Sequence, residues 1–138
     1  TGTPAVVVPG CLDMVNFWAP ETVPERFSGR TFYRHNENVT LMRTTPQENE
    51  ELGRTIAGKV NVSSGPVTVL LPLRGVSMID GPDGDFYDPR ANEALFAAIE
   101  SGLRDDVRLV KIDAFINDDE FARACADELL SLMATVGK

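Results

Sequence analysis

The sequence predicts an α/β fold, a three-layer sandwich in which helices cover both faces of a mostly parallel sheet in a Rossmann-like or flavodoxin-like arrangement. Short apolar runs of strand length alternate with longer segments whose apolar residues recur at helical spacing. The runs are almost continuously hydrophobic, which is typical of strands that are buried on both faces. Strands that alternate with helices favour right-handed crossovers, and these make the strands parallel.

Four apolar runs are predicted as strands, because each ends at polar residues, proline or glycine. They are Ala5–Val8, Val39–Met42, Val67–Leu71 and Val107–Ile112. The long segment 10–38 breaks the alternation, since its prolines and Gly29 interrupt any helix and only 31–33 looks extended. A structureless loop of this length is uncommon inside a compact domain, so we expect it to be functional or to pack against another part of a larger protein.

Three helices are predicted from capping signals that are followed by apolar residues at helical spacing. The first begins with the capping box Thr45-Pro46-Gln47-Glu48, the second with Asp88-Pro89, and the third with Asn117 or Asp118. Their apolar stripes are Leu52, Ile56 and Val60 in the first, Ala91, Leu95, Ile99 and Leu103 in the second, and Phe121, Cys125, Leu129, Leu132 and Val136 in the third.

Composition restricts the class of protein. With 138 residues and 43% hydrophobic residues, 1–138 fits a single domain with one core. The net charge of -8 disfavours binding to nucleic acid or to anionic membranes, and no apolar run approaches the roughly 20 residues that span a bilayer. Two widely spaced cysteines and no targeting segment indicate a cytoplasmic protein. The apolar stretch begins almost at residue 1, which suggests the C-terminal domain of a longer two-domain protein.

Ligands of open parallel α/β sheets bind beyond the carboxyl ends of the strands. That rule selects four segments, 9–16, 43–45, 72–77 and 113–118. With the polar loop residues near position 35, they supply the candidate ligand contacts, which are Gly10, Cys11, Asp13, Asn16, His35, Asn36, Arg43, Thr44, Thr45, Arg74, Gly75, Ser77 and Asn117.

The residue types in these segments favour an anionic small ligand. Arg43 and Arg74 can hold a phosphate or carboxylate through paired N–H donors, and Gly75 lets backbone amides approach the same anion. The helix that begins near Thr45 adds its amide-rich N-terminus. The alternative is that Thr45 only caps its helix and the arginines pair with acids of the chain. The sequence has neither a Walker A nor a Gly-x-Gly-x-x-Gly phosphate fingerprint.

The sequence gives weaker indications of a catalytic nucleophile or a metal site. Cys11 follows a strand as a nucleophile can, and His35 is the only imidazole, but the Gly-x-nucleophile-x-Gly elbow is absent. Both are therefore interpreted as ligand contacts. The run 80–85 lacks the ligand order of an EF-hand, so it is interpreted as a solvated turn and no metal site is predicted. Cys125 is predicted to pack in the core.

The motifs taken together resemble a known family. They are 6–17, Arg34-His35-Asn36, 39–45, 71–77 and Ile116-Asn117-Asp118. They are similar to the C-terminal part of the Tm-one-like ATP-binding family, which is related to a tomato-mosaic-virus resistance protein. The resemblance implies a cytoplasmic two-domain α/β protein, described as ATP-binding, whose N-terminal domain is absent from this chain. The family has a His where this sequence has Phe115, which puts acid–base chemistry at that strand end in doubt.

The leading hypothesis is that this domain contributes strand-end loops to an interdomain cleft for a nucleotide such as ATP or another small phosphorylated or anionic molecule. The missing N-terminal domain, and possible further copies of the chain in a homo-oligomer, are the expected partners. An alternative is a protein-interaction or regulatory module that docks a partner through Met14–Trp18, since the plant family member binds a viral replication protein. A third is a cysteine-dependent hydrolase that uses Cys11.

Overall fold

A computed structural model of the chain describes residues 2–136, apart from the Val136 side chain, and folds them as two small sheets with three α-helices. The strands are β1 (Ala5–Val7), β2 (Met14–Phe17), β3 (Phe32–Asn36), β4 (Val39–Arg43), β5 (Val67–Pro72) and β6 (Arg108–Ile112). The α-helices are α1 (Pro46–Asn61), α2 (Pro89–Gly102) and α3 (Asp119–Val136). One sheet is parallel in the order β1-β5-β6, and the other is antiparallel in the order β2-β4-β3.

All three helices begin where their capping signals predict. At α1 the capping box is complete, because the Glu48 amide donates to Thr45 Oγ1 at 3.2 Å and the Thr45 amide donates to Glu48 Oε2 at 2.8 Å. At α2 the Asp88 carboxylate accepts from two amides of the first turn. At α3 the helix begins directly after Asp118. These signals are local, so neighbours in sequence were sufficient to predict them.

Strand β5 is the centre of the parallel sheet and is buried along its whole length. Because side chains alternate along a strand, Val69 and Leu71 pack with Leu95 of α2, whereas Leu70 faces Phe121 of α3. Helices therefore lie on both faces of this sheet, and the α/β class is confirmed. The predicted burial on both faces holds for β5 but not for the edge strand β6, two of whose five residues are exposed.

The predicted place of β4 in the parallel sheet is wrong. Val39–Arg43 is a strand, but it pairs antiparallel with β2 on one side and with β3 on the other. A two-residue turn at 37–38 joins β3 directly to β4. Strands joined by so short a turn pair antiparallel, whereas a parallel pair needs a long crossover. The local hairpin therefore decides where β4 lies.

The segment 10–38 is not a structureless loop. It contains β2 and β3 and, between them, two short 3₁₀ helices at Pro20–Thr22 and Glu25–Phe27. The rings of Phe17 and Phe27 lie 5.9 Å apart, so the 3₁₀ segment packs back onto β2. The extended stretch predicted at 31–33 overlaps β3, whereas β2 was not predicted, and both strands are stabilised by pairing with β4.

The third helix carries its predicted apolar stripe in part. Phe121 is buried, and Cys125 packs beside it against the sheet, as predicted for a core thiol. Leu129 and Leu132 are half-buried. The prediction for Val136 falls on a side chain outside the described residues. No helix within residues 2–136 is long and apolar enough to cross a bilayer.

Helices α1 and α2 are in tight contact at Gly53. A Cβ atom added there would lie 2.6 Å from the backbone oxygen of Leu95 and 2.7 Å from Ala98 Cβ. Gly58, on the same helix, is exposed, and a Cβ there would meet nothing within 4 Å. The two glycines therefore form a matched pair for testing the helix contact.

We expect Gly53→Ala to lower the free energy of unfolding by about 1–3 kcal/mol, because the added methyl group forces the helices apart. Gly58→Ala should raise it by about 0.5–1 kcal/mol, because alanine favours the helix. Urea unfolding followed by circular dichroism measures both. Equal effects of the two substitutions would contradict this account of the α1–α2 contact.

Candidate functional site

The loops that follow the parallel strands meet at one edge of the sheet, as the sequence predicts. The Cys11 amide donates to Val76 O at 2.8 Å, which ties the loop after β1 to the loop after β5. The Ile116 amide donates to Gly75 O at 3.1 Å, which ties in the loop after β6. Three of the four selected segments thus form one continuous surface at the carboxyl ends of the strands.

The fourth segment reaches the same place from the other sheet. The Thr44 amide donates to Asp13 O at 3.0 Å, and Thr44 Oγ1 donates to Leu12 O at 2.7 Å. Asn49 of α1 in turn donates to Thr44 Oγ1 at 2.8 Å. The predicted convergence is therefore present, although β4 arrives there as a strand of the antiparallel sheet.

Arg43 is buried beneath these loops. Its side chain donates through Nε to Phe86 O at 2.8 Å and through Nη2 to Asn92 Oδ1 at 2.9 Å. The Nη2 atom also lies 3.4 Å from Asp80 Oδ1, an ion pair with 6% and 0% exposed side chains. The Arg43 guanidinium already has these partners inside the domain. This favours the interpretation that Arg43 pairs with an acid of the chain and does not contact an external anion.

Two carboxyl groups accompany this arginine in what we call the polar cluster, which consists of Asp13, Arg43, Ser77, Asp80 and Asn92. Ser77 Oγ donates to Asp13 Oδ2 at 2.5 Å, and Asn92 Nδ2 donates to Asp80 Oδ2 at 2.7 Å. Both aspartates are fully buried. The second oxygen of Asp13 has no hydrogen-bond partner among the described residues.

Burial governs the protonation of both acids. It raises the pKa of Asp13, and the Ser77 hydrogen bond and the Arg43 charge offset this only in part. Burial also raises the pKa of Asp80, against the hydrogen bonds from the Val76 amide and Asn92. Because a single guanidinium faces two buried carboxyl groups, the cluster favours a state in which one of the two carboxyl groups keeps its proton.

The run 80–85 is a turn in which Pro82, Asp83 and Asp85 are exposed, as predicted, but Asp80 itself is buried. It folds back so tightly that a Cβ atom on Gly75 would lie 1.9 Å from Asp80 O, and one on Gly84 would lie 2.1 Å from Ile79 O. The Val76 amide donates to Asp80 Oδ2 at 2.9 Å. Asp80 is therefore the internal partner of Arg43 and not a solvent-exposed residue.

The accessible polar groups at the strand ends are different ones. Arg74 is 54% exposed, and its Nε donates to the exposed Asp113 at 3.0 Å. It lines a groove of about 700 Å³ together with Lys111 and Phe115. Asn117 lines an adjoining groove of about 400 Å³, which shares Phe115 with the first and has the buried Ser77 in its wall. Arg74, Lys111 and Asn117 are therefore polar groups that can meet a ligand in these two grooves.

Cys11 does not have the geometry of an activated nucleophile. It adopts a left-handed backbone with φ 55°, which is unusual outside glycine, and it is exposed. Burial and then the charge of Asp13 raise the pKa of its thiol, which disfavours the thiolate. No hydrogen bond or ring contact joins it to His35 in the described part of the chain, where the ring contact of His35 is with Tyr33.

The remaining candidates lie around this site or away from it. His35 and Asn36 sit at the turn end of the β3–β4 hairpin, opposite the end that carries Arg43, and Asn36 Oδ1 accepts from the Asn38 amide at 2.9 Å. Asn16 is exposed on β2. Thr45 caps α1. Glu48 already places a negative charge at the N-terminus of this helix, and Arg30 pairs with that charge.

Sequence reasoning missed Asp80, Phe86 and Asn92 as partners of Arg43. The signal for Asn92 was present, because it is a polar residue on the apolar face of α2 beside Ala91. The signal for Asp80 was the density of glycine around it. In residues 2–136 no group of three or more His, Cys, Asp or Glu side chains could hold a metal ion.

Fold and site together define an α/β domain whose strand-end loops are fixed from beneath by a buried polar cluster. The chain belongs to the uncharacterised protein family UPF0261, because the pattern of that family's C-terminal domain matches residues 1–133. The family relationship expected from the motifs is thus confirmed.

Several relatives show what the chain is similar to. A UPF0261 protein of Rhizobium meliloti is 55% identical over 126 residues, which are 90% of this chain and 32% of the relative. A UPF0261 protein of Clostridium tetani is 46% identical over 96% of this chain and 33% of its own length. The ToMV resistance protein Tm-1 of Solanum lycopersicum is 44% identical over 94% of this chain and 17% of its own length. The chain thus spans about a third or less of these relatives.

We expect Arg43→Met to lower the free energy of unfolding by about 3–5 kcal/mol, because it leaves the Asp80 carboxylate buried without its ion-pair partner. Arg54→Met, at an exposed arginine of α1, should change it by less than about 0.5 kcal/mol. Chemical unfolding at neutral pH measures both. A loss below 1 kcal/mol for Arg43→Met, roughly a surface effect, would contradict a central role for this ion pair.

The raised pKa of Asp13 predicts a pH dependence of stability. The folded chain keeps a proton that the unfolded chain releases near the ordinary value of 3.8, so the contribution of this group is present at low pH and is lost as the pH rises through the folded-state pKa. Asp13→Asn should therefore gain stability relative to the unchanged chain as the pH rises above about 4. Unfolding curves at several pH values measure this difference.

The control is Asp105→Asn, at an exposed carboxyl group before β6. Its stability difference from the unchanged chain should stay nearly constant over the same pH range. A pH-independent difference for Asp13→Asn would refute the raised pKa.

Proposed function

We propose that this domain binds a small anionic molecule, with a nucleotide such as ATP as the first candidate, at the loops beyond its parallel strands. The observation that carries the proposal is the exposed cation Arg74 beside a groove of about 700 Å³, at the edge where three strand-end loops are tied together. Open α/β sheets bind their ligands at this edge.

The chemistry of the edge supports an anion. The Arg74 side chain pairs with the exposed Asp113, which a more strongly charged ligand can replace. Lys111 lines the same groove and pairs with exposed Glu100. Phe115 offers an aromatic surface between the two grooves, on which a flat base could stack.

The polar cluster supports the same site from beneath. Ser77 lines the smaller groove while it donates to the buried Asp13, so the loop that would contact a ligand is anchored in the interior. Arg43 joins β4 to Asn92 and to the turn around Asp80. A binding loop held in this way loses little entropy when a ligand arrives.

We further propose that the cleft is completed by the rest of a longer, cytoplasmic two-domain protein or by a second copy of the chain. The relatives are about three times as long as the matched region, which leaves room for another domain. Met78 is 89% exposed and lines the smaller groove, whereas the half-exposed Leu73 and Tyr87 line the larger one. The finer fold proposal, a Rossmann-like or flavodoxin-like three-layer sandwich, is supported by helices on both faces of the parallel sheet.

Calorimetric titration of the chain with ATP, ADP and inorganic phosphate tests the proposal. We expect saturable binding that Arg74→Ala weakens at least about tenfold, because a charge-assisted hydrogen bond is lost. Arg123→Ala, at an exposed arginine of α3 on the other side of the sheet, is the matched control and should bind as the unchanged chain does. Equal binding by the Arg74 and Arg123 variants would rule out this site.

A second candidate function is docking of a protein partner. Trp18 is 74% exposed and Val15 is 41% exposed, and large apolar side chains at a surface often mark protein contacts. Two relatives are named as ToMV resistance and susceptible proteins.

Affinity capture from a lysate, compared between Trp18→Ser and the exposed Leu130→Ser control, tests the docking of a protein partner. Proteins recovered equally by both variants would remove its support.

A further inference from the structure

The antiparallel sheet has an outer face that the proposed anion site does not use. Residues paired across neighbouring strands point to the same side of a sheet. Thr40 of β4 pairs with Phe17 of β2 and with Arg34 of β3, so these three side chains share one face. Arg43, three residues along β4, points to the other face, where it meets Asp80.

The segment 20–28 folds over this outer face and encloses a groove, which we call the β-sheet groove. Its volume is about 420 Å³, within the range of small-ligand sites. Half of its lining residues are apolar, and the polar ones are Glu25, Ser28, Arg34 and Thr40. The apolar lining residues are Pro20, Val23, Pro24 and Phe32.

Thr40 lines the groove with an unsatisfied hydroxyl group. The residue is 4% exposed, and Thr40 Oγ1 has no hydrogen-bond partner among the described residues. A buried hydroxyl without a partner is unfavourable, because it has lost its hydrogen bonds to water. A ligand oxygen in the groove supplies the missing partner when the Thr40 side chain turns its hydroxyl toward it.

Arg34 lines the same groove with an unpaired charge. It is exposed, and no ion pair of its guanidinium occurs among the described residues. A free guanidinium matches the planar geometry of a carboxylate through two parallel hydrogen bonds. Glu25 also lines the groove, and its negative charge disfavours a dianion such as phosphate.

From these observations we propose that the β-sheet groove binds a small monocarboxylate with an apolar body. The carboxylate lies between Arg34 and Thr40, and the apolar part packs against Val23, Pro24 and Phe32. The site is independent of the strand-end loops, because it lies on the opposite face of the antiparallel sheet from Arg43. It uses charge for orientation and apolar contact for affinity, which is the usual division in small-ligand sites.

Titration of the 138-residue chain with hexanoate, followed by amide chemical shifts, tests the proposal. We expect saturable shifts at Phe32, Arg34 and Thr40, and binding at least about tenfold weaker for hexan-1-ol and hexylamine, which lack the carboxylate. Inorganic phosphate should not displace hexanoate. Equal affinity for hexanoate and hexan-1-ol, or shifts confined to other parts of the chain, would overturn the proposal.

Three variants assign the binding to its residues. Arg34→Gln should weaken hexanoate binding at least about tenfold and leave hexan-1-ol binding unchanged, because only the charge pairing is lost. Thr40→Val keeps the side-chain shape and should weaken hexanoate binding about threefold or more, while the melting temperature stays equal or rises. Arg54→Gln on α1 is the control and should bind as the unchanged chain does.

The thermal unfolding of each variant is measured beside its binding. Arg34 is at the surface, so its variant tests the charge pairing in a folded chain. Unchanged hexanoate affinity in both Arg34→Gln and Thr40→Val would overturn the site, whatever the anion titration of the strand-end loops shows.

Discussion

The ion pair of Arg43 with Asp80 is the contact on which the organisation of this domain depends. It joins the end of the antiparallel strand β4 to the turn that follows the parallel strand β5, and Asn92 adds helix α2 to the same centre. A buried ion pair contributes little net stability compared with apolar packing, but loss of one partner leaves a charge in a medium of low polarity. Any other arrangement of the two sheets would leave a buried charge without its partner, so the ion pair holds the sheets in this one.

The same cluster separates support from binding at the strand-end edge. Asp13, Arg43 and Asp80 are buried and satisfied mainly by the chain itself, whereas Arg74 and Asn117 line open grooves. This division is common in binding sites, where interior polar contacts fix the loops that meet the ligand. Under the proposed function, an anion at this edge would meet Arg74, and Arg43 would act on it only through the loops.

The small antiparallel sheet has different chemistry on its two faces. Its inner face carries Arg43 and Tyr33, and the Tyr33 ring packs edge-on against Phe86 at 6.4 Å. Its outer face carries the unpaired Arg34 and the unsatisfied Thr40 beneath the 3₁₀ segment. Alternation along a strand makes this possible, since neighbouring residues serve the interior and the groove in turn. A segment of the chain that looked like a loop thus supports one proposed site and forms another.

The sequence by itself determined the features that depend on near neighbours. The capping box at Thr45, the cap at Asp88 and the buried strand β5 followed from residue type and spacing, and the rule of strand ends located the convergent loops. The short turn at 37–38 made β3 one neighbour of β4, but only tertiary structure decided that β2 is the other, because a short apolar strand carries no information about a distant partner. Tertiary structure also decided that Arg43 is buried, since the groups that compensate its charge, Asp80 and Asn92, come 37 and 49 residues later in the chain. Apolar spacing is repeated along an element and can be recognised locally, whereas the compensation of a buried charge depends on single side chains that only the folded chain brings together.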